Sequence, residues 1–383
     1  MTTPSDRGIH LSTIGAQWDS LRVPAAGVHL DSAAAGRSSR AVIDTITEHL
    51  HAEAAHGGYV AAAARADDLA ATHAAVATLI GHDHGDVALV GSAQAAIREL
   101  LRHWRRPLSI WVCPTEYGPN VADFAHHGHT VTTLPVADEF GHVDVAATEA
   151  MLLKRPPDVL HICHIGSRTG IVQPAAELVA LARAAGVVTV VDAAQALVQI
   201  DSRTGADIVY GTSRKWAAGP RGVGFLSVRR SPAAPPLVAD LPAPAELESA
   251  EAAVAARLGF GVALRQILDL GPVSVHAGLS AIGGHLRTQV SAVDGWTVVE
   301  PSDEPSATTT LRPATDADID VWHVRAHLLR NGFVTTCAES WRSPLQPAET
   351  VLRISPHLDV TVGDLDAFVD ALQRAHPANA APA

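Results

Sequence analysis

Lysine is scarce in this chain, and arginine is not. The 383 residues hold only two lysines, Lys154 and Lys215. Lys154 stands in LLKRPP, where the prolines signal a helix end and a solvated C-terminal charge. Lys215 stands in GTSRKWAAGPRGVG, a polar turn after an apolar run. A compact amine that loses its proton when desolvated is something arginine cannot supply, and condensation with an aldehyde needs it. Just upstream, the β-branched run VVTVV ends on Asp192. Taken singly, Asp192 is as readily the cap of a helix AAQALVQ, and Lys215 a surface-loop residue. The combination favours chemistry.

If the run ending at Asp192 and the next one, Asp207 to Tyr210, are parallel strands, the carboxylate and the turn before Lys215 lie at carboxyl ends, where open α/β sheets place ligands. A carboxylate facing a pyridine nitrogen and a lysine on an aldehyde are what pyridoxal 5'-phosphate requires, and this is the cofactor expected. In DVALVGSAQAAIREL a short apolar run, a small-residue turn and a helix start would aim N–H groups and a positive dipole end at an anion. Ser92, Ala93 and Gln94 are therefore assigned to the cofactor phosphate, although many such turns bind nothing. Tyr117, in TEYGPN after the strand SIWVC, is either a ring that stacks on the pyridine or a half-buried loop anchor. The clusters HHGH and HDH lack the cysteine or carboxylate spacing of a zinc site, and 21 histidines make short clusters common by chance. No metal is expected.

With those residues in place, the chain resembles the class V aminotransferase and cysteine desulfurase group of pyridoxal phosphate enzymes. VVDAAQA followed by GTSRKWAAGPRGVGFL resembles the group's Asp-x-x-Gln, its lysine within Ser-x-His-Lys and its later Pro-x-Gly-x-Gly. HLDSAAAG from His29, TEYGPN from Thr115, HIGSRTGIVQP from His164 and LRISPHLDVTVGDLDAFVDAL from Leu352 match further motifs in family order. The resemblance implies an α/β protein of fold type I. Its large domain has a mostly parallel sheet sandwiched by helices, and a smaller α+β domain follows. The boundaries so implied are an arm over 1–26, the large domain over 27–247 and the small domain over 248–383. It also implies Lys215 as cofactor lysine and base, Asp192 at the ring nitrogen, Gln195 at O3', Tyr117 stacked, and Thr212 and Arg214 near the phosphate. Arg353, otherwise a solvent-side strand charge, becomes the fork for the substrate α-carboxylate. Ala34 and Tyr59, the latter in a glycine-rich loop HGGY, are expected to face the substrate.

Some positions depart from the group. Gly166 and Ser167 stand where an asparagine contacts the cofactor's phenolic oxygen, and Arg214 stands in a histidine's place. SAEAAVAARLG lacks the Gly-Thr pair that reaches a partner's phosphate. Cys337 falls in the broad region of the desulfurase nucleophile without its context, and reads better as a small apolar residue. Within the group, GGYVAA, VGSAQAAIREL and TSRKWAAGPRGVG are most similar to the carbon–sulfur lyases of actinobacterial ergothioneine biosynthesis. That implies β-elimination from hercynylcysteine sulfoxide to ergothioneine, with pyruvate and ammonia formed; cysteine desulfuration and transamination are the alternatives. Tyr59, Trp216 and Trp341 are candidates to surround the substrate's trimethylammonium.

Composition agrees with a small-molecule enzyme. A net charge of -12 argues against nucleic acid or an anionic membrane as partner, and 47% apolar content suffices for a large core. No apolar run is long enough to span a bilayer, and MTTPSDRGIHLSTIG lacks a signal-peptide pattern. Three widely spaced cysteines suit a reducing cytoplasm, and a homodimer is expected from the group. Retention of Lys215 speaks against a non-catalytic scaffold. The missing G-x-G-x-x-G and P-loop speak against a nucleotide-binding protein.

Overall fold

A computed structural model describes residues 9–231, 234–315 and 317–375. The part of the expected arm at 1–8 and residues 232–233 of the proline-rich crossing lie outside the described residues. In chain order the strands are β1 (Val28–His29), β2 (Val87–Val90), β3 (Ser109–Val112), β4 (Thr130–Thr133), β5 (Val159–Cys163), β6 (Val188–Asp192) and β7 (Ile208–Thr212). There follow β8 (Gly224–Val228), β9 (Trp296–Val298), β10 (Thr309–Pro313), β11 (Phe333–Val334), β12 (Thr336–Ala338) and β13 (Val351–Ile354).

Seven of these form the central sheet, in the order β2-β8-β7-β6-β5-β3-β4. All run parallel except β8, which is antiparallel to both of its neighbours. Every residue of β5, β6, β7 and β8 is buried, because helices cover both faces. Alternation along a strand divides the core. Val190 and Ile208 pack with Ile97, Leu100 and Phe124 on one face, while Val191 and Val209 pack with Val76, Leu178 and Leu264 on the other. Each such side chain contributes roughly 1.5–3 kcal/mol by burial.

The helices Ala66–Ile80 and Val362–Arg374 have the bounds that sequence periodicity predicts. The second is fixed by a capping box between Thr361 and Asp364. Two features differ from expectation. His56 to Tyr59 is not an open loop: Gly57, at φ +86, ends one helix and the short helix Gly58–Ala63 starts at once. The helices Gly118–His126 and Pro272–Val290 were not anticipated, since the glycines and prolines that open them also signal turns; proline at a first turn loses no hydrogen bond.

A second, antiparallel sheet runs β12-β13-β10-β9, with helices Val321–Arg330 and Val362–Arg374 beside it. It is tied to the chain's beginning by the parallel pair β1 and β11, and by Ser32, whose N–H donates to the Ser355 carbonyl at 3.0 Å. We propose the division 1–26, 27–247 and 248–383; the helix Val254–Leu270 packs against Arg40–His56 and Ala66–Ile80 from across that boundary. No single helix among the described residues is long and apolar enough to cross a membrane.

Candidate active site

Loops that follow β2, β3, β5, β6 and β7 converge on a cavity of about 260 Å³ at the carboxyl edge of the sheet. This is slightly below the usual range of small-molecule sites, about 300–1,000 Å³. Ser92, Ala93 and Gln94 line it from the turn after β2, and Tyr117 from the loop after β3. Asp192 and Gln195 come from the end of β6, and Thr212, Arg214 and Lys215 from the end of β7. Sequence reasoning had singled out each of these. Asn120 and Cys163 line it as well and had been assigned no role. A larger cavity, about 550 Å³, lies under Trp104 and Leu237 beside the entry to β3, but no lysine lines it.

The protein around Lys215 strips its amine of water. That burial outweighs the attraction of Asp192 and is reinforced by Arg214 and Arg353, so the pKa falls from 10.5 to about 7. The turn bearing it is tightly held. Ala218 donates its N–H to the Lys215 carbonyl at 2.9 Å and adopts φ +52, a conformation that costs an L-residue roughly 1 kcal/mol or more. Gly36 lies against this turn, where a Cβ would stand 2.4 Å from the Lys215 carbonyl oxygen. Only glycine lets the two segments meet.

Asp192 does not cap a helix. Its Oδ1 accepts the Ala194 N–H at 2.8 Å in a turn, and its Oδ2 accepts from Tyr210 Oη at 3.1 Å and Asn120 Nδ2 at 3.3 Å. Gln195 is gripped at both ends of its amide: Oε1 accepts from Trp216 Nε1 at 2.9 Å, and Nε2 donates to the Ala33 carbonyl at 3.0 Å. One amide hydrogen is left over.

At the other end of the cavity Ser92 caps the helix Ala93–His103, its hydroxyl accepting the Ala95 N–H at 3.0 Å. Ala93 and Gln94 therefore bring first-turn N–H groups and the positive end of the helix dipole to the wall. Arg214 donates to the Ala34 carbonyl; burial, and then neighbouring Arg221, lower its pKa. Arg353 rises from β13, buried, and donates to the Ser167 carbonyl and to Asp31 Oδ1, the latter at 3.2 Å. Its Nε is buried with no partner. Trp341 is half exposed 6.3 Å from the Tyr117 ring, with its Nε1 donating to Glu339 Oε2 at 3.0 Å.

Five sequence candidates do not line the cavity: Arg353, Ala34 and Trp341 each meet a residue that does, Ser167, Arg214 and Tyr117 respectively, while Trp216 and Tyr59 stand elsewhere. Trp216 is 1% exposed, packed on His357 behind Gln195, so it is not a cavity wall. Tyr59 is 89% exposed on the helix Gly58–Ala63 and does not line the cavity of its own chain. Cys337 is buried with its thiol directed to the Val321 carbonyl at 3.4 Å, and burial pushes its pKa up to about 11. Glu116, His161 and Tyr210, which join Asp192 from behind, were missed. The available signal was a polar residue inside an otherwise apolar strand, His161 in VLHIC and Tyr210 in IVYGT.

A desolvated lysine, a hydrogen-bonded aspartate, an aromatic ring and a dipole-bearing helix end with an arginine beside it fit pyridoxal phosphate group by group. The chain belongs to the class-V aminotransferase family, whose profile matches residues 28–368. It is thus an enzyme of the pyridoxal phosphate class, with the fold of type I.

One relative is the probable hercynylcysteine sulfoxide lyase of Mycobacterium tuberculosis (strain CDC 1551 / Oshkosh), 44% identical over 93% of this chain and 92% of that protein. The isopenicillin N epimerase of Streptomyces clavuligerus is 29% identical over 78% of this chain and 82% of its own. Among solved structures, the cysteine desulfurase CsdA of Escherichia coli superposes with a TM-score of 0.82 at 20% identity, covering 94% of this chain and 98% of that one. A cystine C-S lyase, C-DES, superposes at 0.79 with 16% identity, covering 92% and 99%.

Proposed function

We propose that this protein is a carbon–sulfur β-lyase acting on hercynylcysteine sulfoxide. The observation that carries the reading is the state of the thiols. All three cysteines are free and buried, and Cys163 and Cys337 direct their thiols to carbonyls of Ile165 and Val321. Burial raises the pKa of all three, so none offers the thiolate that would accept sulfur in desulfuration. Elimination needs no such group. The similarity to the mycobacterial protein along nearly all of both chains supports the substrate.

The cofactor, once bound, supplies an electron sink for the electrons of the substrate's Cα–H bond. The chain's residues do the rest. Lys215, whose amine is half neutral near pH 7, takes the Cα proton. Arg353 offers its unpaired Nε to the α-carboxylate, with Ala34 alongside. Asp192 would pair with the ring nitrogen, Gln195 would give its spare N–H to O3', and Tyr117 would stack on the ring. Ser92, Ala93, Gln94, Thr212 and Arg214 would hold the phosphate. The Cβ–S bond breaks with its electron pair on sulfur, which leaves as a sulfenic acid; two equivalents of a cellular thiol then reduce it to ergothioneine, with one disulfide and one water formed. The three-carbon fragment hydrolyses to pyruvate and ammonia. We place Trp341, clamped to Glu339, at the trimethylammonium end.

We also infer a cytoplasmic homodimer. Unpaired cysteines suit a reducing compartment. Leu50, Tyr59 and Val60 form an exposed apolar group on adjoining helices, suited to a second copy whose cavity Tyr59 would serve. The test is an absorbance scan of the wild type and of Lys215→Ala, with pyruvate assayed on addition of hercynylcysteine sulfoxide. A visible cofactor band lost in the variant, with pyruvate released by the wild type, is expected. A band without pyruvate would redirect the reading to desulfuration or transamination.

A further inference from the structure

Behind the cavity wall, polar side chains meet among strands that are otherwise apolar. Glu116 and Tyr210 are 0% exposed and His161 is 1% exposed, so their hydrogens must be shared among themselves. His161 Nδ1 lies 2.8 Å from Glu116 Oε2, and His161 Nε2 lies 2.9 Å from Tyr210 Oη. Tyr210 Oη lies 3.1 Å from Asp192 Oδ2. Asn120 Nδ2 closes the ring, 2.8 Å from Glu116 Oε1, 3.0 Å from Tyr210 Oη and 3.3 Å from Asp192 Oδ2.

The tyrosine has one hydroxyl proton to give. If it goes to Asp192, the tyrosine oxygen must accept from His161 Nε2, while His161 Nδ1 donates to Glu116. Histidine then carries two N–H groups and is an imidazolium. If the proton goes instead to His161, the ring is neutral, and Glu116 and Asp192 are buried as two anions with no cation between them. Buried charge is tolerated when it is paired and hydrogen-bonded, which favours the first arrangement.

Electrostatics point the same way. Burial pulls the His161 pKa down, but Glu116 in contact and Asp192 behind Tyr210 turn the balance upward. Burial, then Asp192 and Glu116, push the Tyr210 hydroxyl well above its ordinary value, so it keeps its proton. The Cys113 and Cys163 thiols nearby are raised by burial and stay neutral, and Phe124 meets the imidazole edge-on at 5.2 Å.

We propose that Glu116, His161 and Tyr210 are positioning residues: an imidazolium paired with Glu116 donates to Tyr210, which donates to Asp192 and holds it ionised toward the cofactor. Tyr210 and Asn120 take both lone pairs of Asp192 Oδ2, and Ala194 takes one of Oδ1. A single acceptor position remains, on Oδ1, for the ring N–H. Two carboxylates, one imidazolium and one protonated ring nitrogen make a neutral buried set. The proposal rests on Asp192 facing the ring nitrogen, as in the reading above, and is independent of which substrate is cleaved.

The experiment is nitrogen NMR of the full-length protein labelled with ¹⁵N-histidine, at pH 8, as holoenzyme and after cofactor removal. His142, with a pKa raised to about 9, is also doubly protonated at this pH; beside it a second imidazole with both nitrogens protonated is expected in each state, absent from His161→Gln and returned to neutral in Glu116→Gln. Should His161→Gln not fold, Tyr210→Phe identifies the same ring by the shift of its Nε2 resonance. A His161 that carries one proton in the wild type would overturn the charged relay. In Tyr210→Phe the cofactor dissociation constant should rise about tenfold, the loss of one hydrogen bond to a buried charge. An unchanged constant with an unchanged visible band would overturn any action on Asp192. Because the imidazole is read without substrate, failure here is separable from failure of the lyase reading, which the pyruvate assay decides.

Discussion

The surroundings of Asp192, in the cavity wall, and of Arg353, just behind it, are built on opposite terms. Around the face of Asp192 turned to Tyr210, donors and acceptors are matched inside the protein: Glu116, His161, Tyr210 and Asn120 share short bonds and almost no solvent. Around Arg353 the matching is incomplete. Arg353 Nε and, a few residues away in the fold, Arg342 Nε are buried without partners, and Arg214 lies close to Arg221. A saturated end has its geometry before any ligand arrives. An unsaturated end stores donors that only a ligand can satisfy, so its worth appears on binding. In the function proposed above, the first would set the cofactor's electronics and the second would select what enters.

Breaking that contrast at the saturated end has the largest expected effect. Glu116→Leu should leave the buried His161 and Asn120 without their acceptor, return the imidazole to neutral, and cost about 3–5 kcal/mol of stability, measured by denaturant unfolding. At the unsaturated end Arg353→Lys should leave the melting temperature nearly unchanged. Its kcat/KM should fall on the order of 100-fold, because lysine cannot make the planar fork. A melting temperature that drops with activity would erase the distinction.

Acidity sharpens the contrast further. With the Lys215 pKa lowered from 10.5 to about 7, cofactor capture by the cofactor-free protein should accelerate through a midpoint near pH 7 in stopped-flow absorbance. The same depression means that stability from this group is fully present above 10.5 and is lost as pH falls toward 7. The smallest effect lies away from the cavity, where His142 bridges Asp138 and Glu304 at 2.7 and 3.0 Å. Hydrogen bonding to Glu304 lifts its pKa from 6.5 to about 9, so that contribution is full below 6.5 and fades as pH rises through 9. His142→Asn should cost about 1 kcal/mol or less at pH 7, and nothing at pH 10, by thermal unfolding.

Much of this was legible in one dimension. Asp192 and Lys215 end adjacent parallel strands, β6 and β7, and strand ends read directly from apolar runs and the residues that stop them. The strand, small-residue turn and helix start around Ser92 are a local signal too. What escaped depends on register. Glu116 reaches His161 from 45 residues away, and His161 reaches Tyr210 from 49. No spacing rule predicts those contacts before β5, β6 and β7 are aligned. Trp216 misled for a related reason: an aromatic next to the lysine points opposite to it, into the core.

Lysine scarcity has a practical side. Lys154 is exposed at the end of its helix, whereas Lys215 is enclosed and half deprotonated near neutrality. An amine-reactive dye at mildly acidic pH would therefore find few targets on the folded molecule, and a lysine-specific protease one accessible site. Reduction with borohydride in the presence of the cofactor would tag a single defined position. The molecule thus offers one known residue for attachment to a surface, a fluorophore or a mass tag.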